Sequence, residues 1–262
     1  MLRAFSTAAT GMNAQQMIVD TIANNLANLN TVGFKRSQVD FQDLMYLQMA
    51  EAGREVASGV IAPSGLELGC GVRPASTMKV FSQGEAENTE RPLDVMIEGD
   101  GFFQVTMPNG DIRYTRDGSL RLNANGNLVT SSGYSIMPAI TIPADARSIS
   151  IGQDGTVTVF AGSASTPSNV GQIQLVRFIN TAGLRAEGDN LLAETPASGQ
   201  PKIGIAGEDG LGKLRAGFLE RSNVQMVREL VNLITAQRAY EINSRAIRAG
   251  DDMLTTANQL VR

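Results

Sequence analysis

Histidine and tryptophan are absent from the 262 residues, and cysteine occurs once. The lack of His removes the commonest general base, the usual zinc ligand and every His-dependent catalytic triad. Few enzyme classes survive that exclusion, and no active site, metal or cofactor is expected. Cys70 cannot form an intrachain disulfide; flanked by Gly69 and Gly71, it reads as a small, partly buried side chain in a loop or tight strand. Aromatic residues make up only 5% of the chain while Gly reaches 27, numbers that point to a turn-rich β body. No segment approaches the ~20 apolar residues of a membrane span. Residues 2–12 alternate apolar side chains with Ser, Thr and Ala, without the basic-then-apolar order of a cleavable secretory signal. The net charge of −4 comes from interspersed acidic and basic residues. Nothing supplies the concentrated basic face that phosphate neutralisation needs, so nucleic acid is not an expected partner.

What the chain does have is apolar periodicity at its two ends. Phe5, Met12, Val19 and Leu26 recur every seventh residue, followed three places on by Ala8, Gln15, Ile22 and Leu29. Met226, Leu233, Tyr240, Ile247, Leu254 and Val261 hold the same register at the far end. This is the a/d spacing of helices that pack on helices, in this chain or in copies of it. Phe5, Met12, Val19, Ile22, Leu26, Leu29, Met226, Leu233, Tyr240, Ile247, Leu254 and Val261 are therefore the expected assembly contacts. A second stripe, Val231, Ile242, Ala246, Ala249, Met253, Ala257 and Leu260, accompanies the C-terminal row and implies more than one neighbour.

The first helix is expected from about Ser6 to Asn28, with Gly33 as its C′ residue. Asp20 is its only charged residue between Ser6 and Asn30; the other polar positions are amides and hydroxyls, which can be buried where each finds a partner. The last helix is expected from near Ser222, a candidate N-cap, for some 40 residues or about 60 Å. Val39–Ala52 could continue as helix, after which Gly53, Gly59, Pro63 and Gly65 break the chain. From Leu93 to Gly217, Asn109-Gly110, Asp117-Gly118, Asn125-Gly126 and Asp154-Gly155 sit between short apolar runs, each a hairpin signal. The expected fold is α+β, with N- and C-terminal helices paired as a coiled coil (1–30 and 220–262), a connecting domain with an extended arm (31–92) and an outer antiparallel β domain (93–216).

Motifs that could carry chemistry are weak. Gly207-Glu-Asp-Gly-Leu-Gly-Lys213 fits the first seven places of a phosphate-binding loop, but Leu214 occupies the place of the Ser or Thr that holds magnesium, so a Gly-rich β-turn is the better reading. Glu98 and Asp100 pair two carboxylates in a Gly-rich turn, where such residues usually bond nearby backbone amides. Ala161–Asn169 reads as a flexible loop. Arg221, Arg228, Arg238, Arg245 and Arg248 are balanced locally by Glu220, Glu229, Glu241, Asp251 and Asp252.

Three blocks in order resemble one family. Asn24-Asn-Leu-Ala-Asn-Leu-Asn-Thr-Val-Gly-Phe-Lys35 is similar to the N-terminal signature of bacterial flagellar rod and hook proteins. Glu98-Gly-Asp-Gly-Phe-Phe103, Tyr114-Thr-Arg-Asp-Gly118 and Gly126-Asn-Leu-Val-Thr130 resemble its central block. Leu219-Glu-Arg-Ser-Asn-Val224, Ala236-Gln-Arg-Ala-Tyr-Glu241 and Asn243-Ser244 resemble its C-terminal signature. Pro63–Pro74 looks like the segment characteristic of distal rod members, with Cys70 where Thr would be expected. The resemblance implies a structural, torque-transmitting subunit of a tubular drive shaft in the flagellar basal body, spanning the periplasm toward the outer membrane. It implies export by the flagellar type III apparatus without a cleavable signal. The implied partners are copies of itself, proximal rod proteins, the hook protein and the P- and L-ring proteins. A proximal rod or hook-like subunit is the nearest alternative; a rod-associated cell-wall hydrolase is the alternative of another class.

Overall fold

The computed structural model describes residues 2–57, 60–61, 63–161 and 167–260. It contains one long helix at each end and an antiparallel β-rich region between them. The chain divides into two compact units, residues 1–26, 37–78 and 226–262 forming the first, and residues 27–36 and 79–225 the second.

Helix α1 (Leu2–Ala27) and helix α2 (Met226–Leu260) dominate the first unit. The two lie against each other in antiparallel sense: Phe5 meets Gly250, and Gly11 meets Asn243. On α1, Ala14 and Ile22 are buried. So is Asn25, whose amide donates to the Ser37 carbonyl (2.9 Å) and accepts from the Ser37 N–H (2.8 Å), completing the backbone as a neighbouring strand would. An amide can do this and a Lys or Glu cannot, which accounts for one of the neutral polar positions of α1; Ser6, Thr7, Asn13, Gln16 and Asn24 are exposed in the single chain.

Several expected boundaries are corrected. α1 begins at Leu2 rather than Ser6, and Gly33 lies well beyond its end and caps nothing. α2 begins at Met226; Ser222 accepts the Val224 N–H at 3.3 Å in a local turn instead of capping the helix. Its 35 residues span about 52 Å. Val39–Ala52 is not helical: Ser37–Asp43 is a strand paired with Val72–Lys79, and Leu47–Ala50 pairs with Leu66–Leu68. Cross-strand ladders to segments distant in sequence, with Leu47 opposite Leu68 and Ala50 opposite Leu66, override the local preference of such a segment, as tertiary pairing commonly does.

In the second unit, Phe102–Thr106 is the central strand of the large sheet. It pairs antiparallel with Ile112–Thr115 along one edge and with Ser135–Met137 and Gln174–Arg177 along the other. Its alternation divides the core. Phe103 and Val105 point into a cluster with Val95, Ile97, Leu120 and Leu175, whereas Phe102 joins Tyr114, Val176 and Phe178 on the opposite face. Tyr114 and Phe178 meet edge to face at 4.8 Å. A three-stranded sheet, Ala146–Ile151, Thr156–Ala161 and Ser168–Gln172, adds Val157 and Val159 to the first cluster.

Asn109-Gly110, Asn125-Gly126 and Asp154-Gly155 turn hairpins as their sequences predict. Asp117-Gly118 does not. Here the chain passes close against the start of strand Val95–Glu98, with Gly118 O accepting the Val95 N–H at 3.0 Å and a methyl at Gly118 falling 1.7 Å from the Val95 carbonyl oxygen. Gly118→Ala is therefore expected to force two backbone segments apart at a cost of about 2–3 kcal/mol or more. Thermal unfolding of the full chain should show the loss; an unchanged melting temperature would contradict this packing.

Candidate assembly site and the buried ionic hub

The motifs of the central and C-terminal blocks meet at Glu220 rather than in a cleft. The end of strand Phe218–Glu220 brings this side chain into the second unit, where only 2% of the residue is exposed. Lys35 Nζ donates to Oε1 at 2.5 Å, Arg116 Nε to Oε2 at 2.8 Å, and the Gly84 N–H to Oε1 at 2.8 Å. Both cations also bond backbone carbonyls. Lys35 reaches the Ser82 carbonyl (2.7 Å), and the Arg116 fork holds the carbonyls of Gly101 (2.7 Å) and Gly99 (2.6 Å). Behind the carboxylate, Gly33 N–H donates to the Glu220 carbonyl at 2.8 Å. Gly33 has φ +68, and a methyl there would stand 2.8 Å from the Arg116 carbonyl carbon, so both its conformation and its space require glycine.

The electrostatics follow from burial against pairing. Burial, the largest influence on Glu220, pushes its carboxyl up, but the charges and hydrogen bonds of Arg116 and Lys35 outweigh it and hold the group below its ordinary value. For Lys35, burial is again the largest influence and lowers the ammonium; Glu220 opposes this and Arg116 adds to it. A further buried carboxylate in this unit is Asp94. It is fully buried, its carboxylate has no hydrogen-bond partner among the described residues, and Arg91 Nε stands 3.9 Å away.

This corrects the sequence reading of Glu220 as a local partner of Arg221. Arg221 faces Glu87 (3.6 Å) and Asn30 (3.3 Å) instead. Lys35 and Glu220 are 185 residues apart, a separation at which no local spacing rule connects them. Glu98 and Asp100 are exposed, and their loop serves through its glycine carbonyls. Gly207–Lys213 contains the expected β-turn, closed by Leu211 N–H to Glu208 O at 2.8 Å, with Gly207 N–H to Gly212 O at 3.0 Å across its base. Of Ala161–Asn169, residues 162–166 lie outside the described residues, and Ser168 and Asn169 are in a strand rather than a loop. Cys70 is exposed rather than partly buried.

The expected assembly contacts lie in different surroundings. On α1, Ile22 is buried, and Phe5, Met12, Val19 and Leu26 are half-buried; Leu29, beyond the end of the helix, is also half-buried. On α2, Leu233, Ile247 and Leu254 are half-buried, Met226 and Tyr240 are exposed, and Val261 lies outside the described residues. Val19 and Tyr240 line one groove together with Gln16, Gln237 and Glu241. The second stripe faces solvent in the single chain: Val231, Ile242 (59% exposed) and Met253, with Ala246 and Ala249 beside them, while the Ala257 and Leu260 side chains lie outside the description. The sequence reading missed Val227 (75% exposed), Leu230 and Ile234, which widen this apolar strip through the first turns of α2. In the same unit, the ribbon Leu47–Ala50 with Leu66–Leu68 presents Leu47, Met49, Leu66 and Leu68 to water, while Gln48 and Glu67 bond each other at 3.2 Å.

Terminal helices with uncovered apolar rows, joined through a β region whose motifs converge on an internal ion cluster, define a structural subunit. Three family models match the chain: flagella basal body rod protein at residues 5–35, flagellar hook protein FlgE/F/G D1 domain at 96–159, and flagellar basal body rod FlgEFG protein C-terminal at 215–260. Among curated proteins, the chain is 48% identical to the flagellar basal-body rod protein FlgG of Borreliella burgdorferi, with 100% of both chains covered. It is 48% identical to that of Buchnera aphidicola subsp. Schizaphis graminum (99% of this chain, 100% of the relative) and 46% identical to that of Caulobacter vibrioides (99% of each). The chain belongs to the flagellar basal-body rod protein family.

Removing one member of the hub should cost more than removing another. Glu220→Gln leaves two buried cations without a counter-charge, at about 3–5 kcal/mol. Lys35→Met should cost less, because Glu220 keeps Arg116 and Gly84, and the Ser82 carbonyl keeps Asn223 Nδ2 at 3.1 Å. Denaturant unfolding of the full-length variants would reverse the argument if it gave the opposite order. Because the folded value of Glu220 is depressed, its contribution is present above the unfolded value of about 4.3 and is lost as pH falls through the folded one. Acid titration of wild-type stability should show that loss below about pH 4, and Glu220→Gln should flatten it.

Proposed function

We propose that the chain is a torque-transmitting subunit of the distal part of the flagellar rod, a helical homopolymer built through its terminal helices. In this reading α1 and α2 pair as a coiled coil, Phe5, Met12, Val19, Ile22, Leu26, Leu29, Met226, Leu233, Tyr240, Ile247, Leu254 and Val261 form the seams, residues 31–92 connect, and residues 93–216 form the outer layer. Proximal rod subunits, the hook and the P- and L-rings are its neighbours in the periplasm, reached through the flagellar type III apparatus without a cleavable signal. The observation that carries the reading is the apolar strip of α2, Val227, Leu230, Val231, Ile234, Ile242 and Met253, exposed along a helix whose other side already meets α1. Monomers rarely leave contiguous apolar surface of this kind in water unless a partner covers it. The resemblance of Pro63–Pro74 to distal rod members favours the distal over the proximal position.

Ile242→Asp tests the reading without touching the chain's own packing. Each subunit would lose about 1.5–3 kcal/mol of side-chain burial and gain a desolvated charge at every interface. The expected result is a monomer with unchanged thermal unfolding that forms no rods, in cells that stop before the hook. Normal assembly would overturn the proposal. The ribbon gives a second check. An isolated two-stranded ribbon is marginal in water, so its apolar face is assigned to a neighbouring subunit, where it braces the shaft. Met49→Glu with Leu66→Glu should leave assembly intact but give rods that curve in electron micrographs, and straight rods would remove the ribbon from the interface.

A further inference from the structure

We infer that two glycine sockets, one on each terminal helix, set the axial register in which α1 and α2 lie against each other; this rests on the paired-helix reading above. Heptad rows repeat every seven residues, so sliding α2 by one heptad presents the same apolar row to α1. The rows alone leave the register degenerate, and coiled coils resolve such degeneracy with a few positions that break the repeat.

Two contacts here break it. A methyl at Gly250 would stand 2.9 Å from Cε1 and Cζ of the Phe5 ring, and a methyl at Gly11 would stand 2.9 Å from Asn243 Nδ2. Each helix thus offers one socket and one occupant, and in both the occupant takes space that a methyl would need. Glycine inside a helix lowers its stability relative to Ala, and these two positions are where a larger side chain would obstruct the approach.

A one-heptad slip in either direction is penalised for a different reason. Toward lower numbers on α2, Phe5 would meet Asn243 instead of Gly250, and ring and amide would compete for one volume. Toward higher numbers, Gly11 would face Gly250 and leave a void, while Asn243 would face Ile18 and lose polar surroundings for its amide. Only the observed register places both large side chains over both glycines.

The test uses the full chain carrying Cys70→Ser and reads register by disulfide capture. Ala8 lies between Phe5 and Gly11, and Ile247 between Asn243 and Gly250, so Ala8→Cys with Ile247→Cys reports the native register. Ala8→Cys with Tyr240→Cys reports the slip toward lower numbers. After mild oxidation, the 8–247 disulfide should form within single chains, seen as a monomer-mass band, with little 8–240. Asn243→Gly creates a second socket one heptad from the first, so Phe5 can enter either, and the 8–240 disulfide should rise roughly tenfold. Asn243→Leu keeps the volume and should keep 8–247 alone. If Asn243→Gly leaves 8–240 at the parental level while 8–247 forms, the helices pair but the sockets do not set their register. An equal slip in Asn243→Leu would equally overturn the socket account. If neither disulfide forms in the parent, the paired-helix reading fails and the register inference falls with it.

Discussion

Glu220 holds a negative charge where almost no water reaches, and the second unit is organised around that fact. A carboxylate so placed is tolerable only with its counter-charges and donors in position. The charges and donors come from Lys35, Arg116 and Gly84, with Gly33 N–H on the Glu220 carbonyl, and the carbonyls of Ser82, Gly99 and Gly101 accept from the two cations, so four separate stretches of chain meet here. None of those stretches can be absent or shifted without leaving a buried charge or carbonyl unpaired. The hub therefore couples the docking of elements that the hydrophobic clusters alone would hold less specifically. Two cations against one carboxylate leave an excess positive charge, and the carbonyls of Ser82, Gly99 and Gly101 are the dipoles that accommodate it.

The first unit presents the opposite condition. Its polar interior needs are small and met locally, as in the Asn25–Ser37 exchange, while apolar side chains of α2 and of the Leu47–Leu68 ribbon remain in water. The near absence of charge on α1 fits the same condition, since amides and hydroxyls can be covered by another chain at far lower cost than Lys or Glu. Apart from Asp94, the second unit pairs its buried charges within its own chain, whereas the first leaves apolar side chains exposed. For a subunit of a filament this divides the work between folding and assembly.

How much of this was legible in the sequence depends on the range of the interaction concerned. Heptad spacing revealed both terminal helices, and Asn-Gly and Asp-Gly turns revealed three hairpins, because both signals rest on contacts within a few residues. The same local reasoning failed for Val39–Ala52, where a ladder to Val72–Lys79 decides the backbone, and for Asp117-Gly118, where close passage over Val95 rather than a turn requires the glycine. It also placed the start of α2 a few residues early, since Ser222 accepts the Val224 N–H in a local turn instead of capping the helix.

The sequence by itself determined the class of the protein: no histidine, no basic face, apolar repeats at both ends, and motif blocks that belong to one family. It could not say what the motifs are for. Arg116 and Glu220 look like ordinary surface charges in a linear reading, and Gly11 and Gly250 look like blemishes in two helices. Only the tertiary structure decided that the first pair closes a buried cluster with Lys35 and that the second pair receives Asn243 and Phe5. The reason is physical. Periodicity records which face of an element is apolar, but the energy of a buried charge or a filled socket depends on a partner that sequence distance does not reveal.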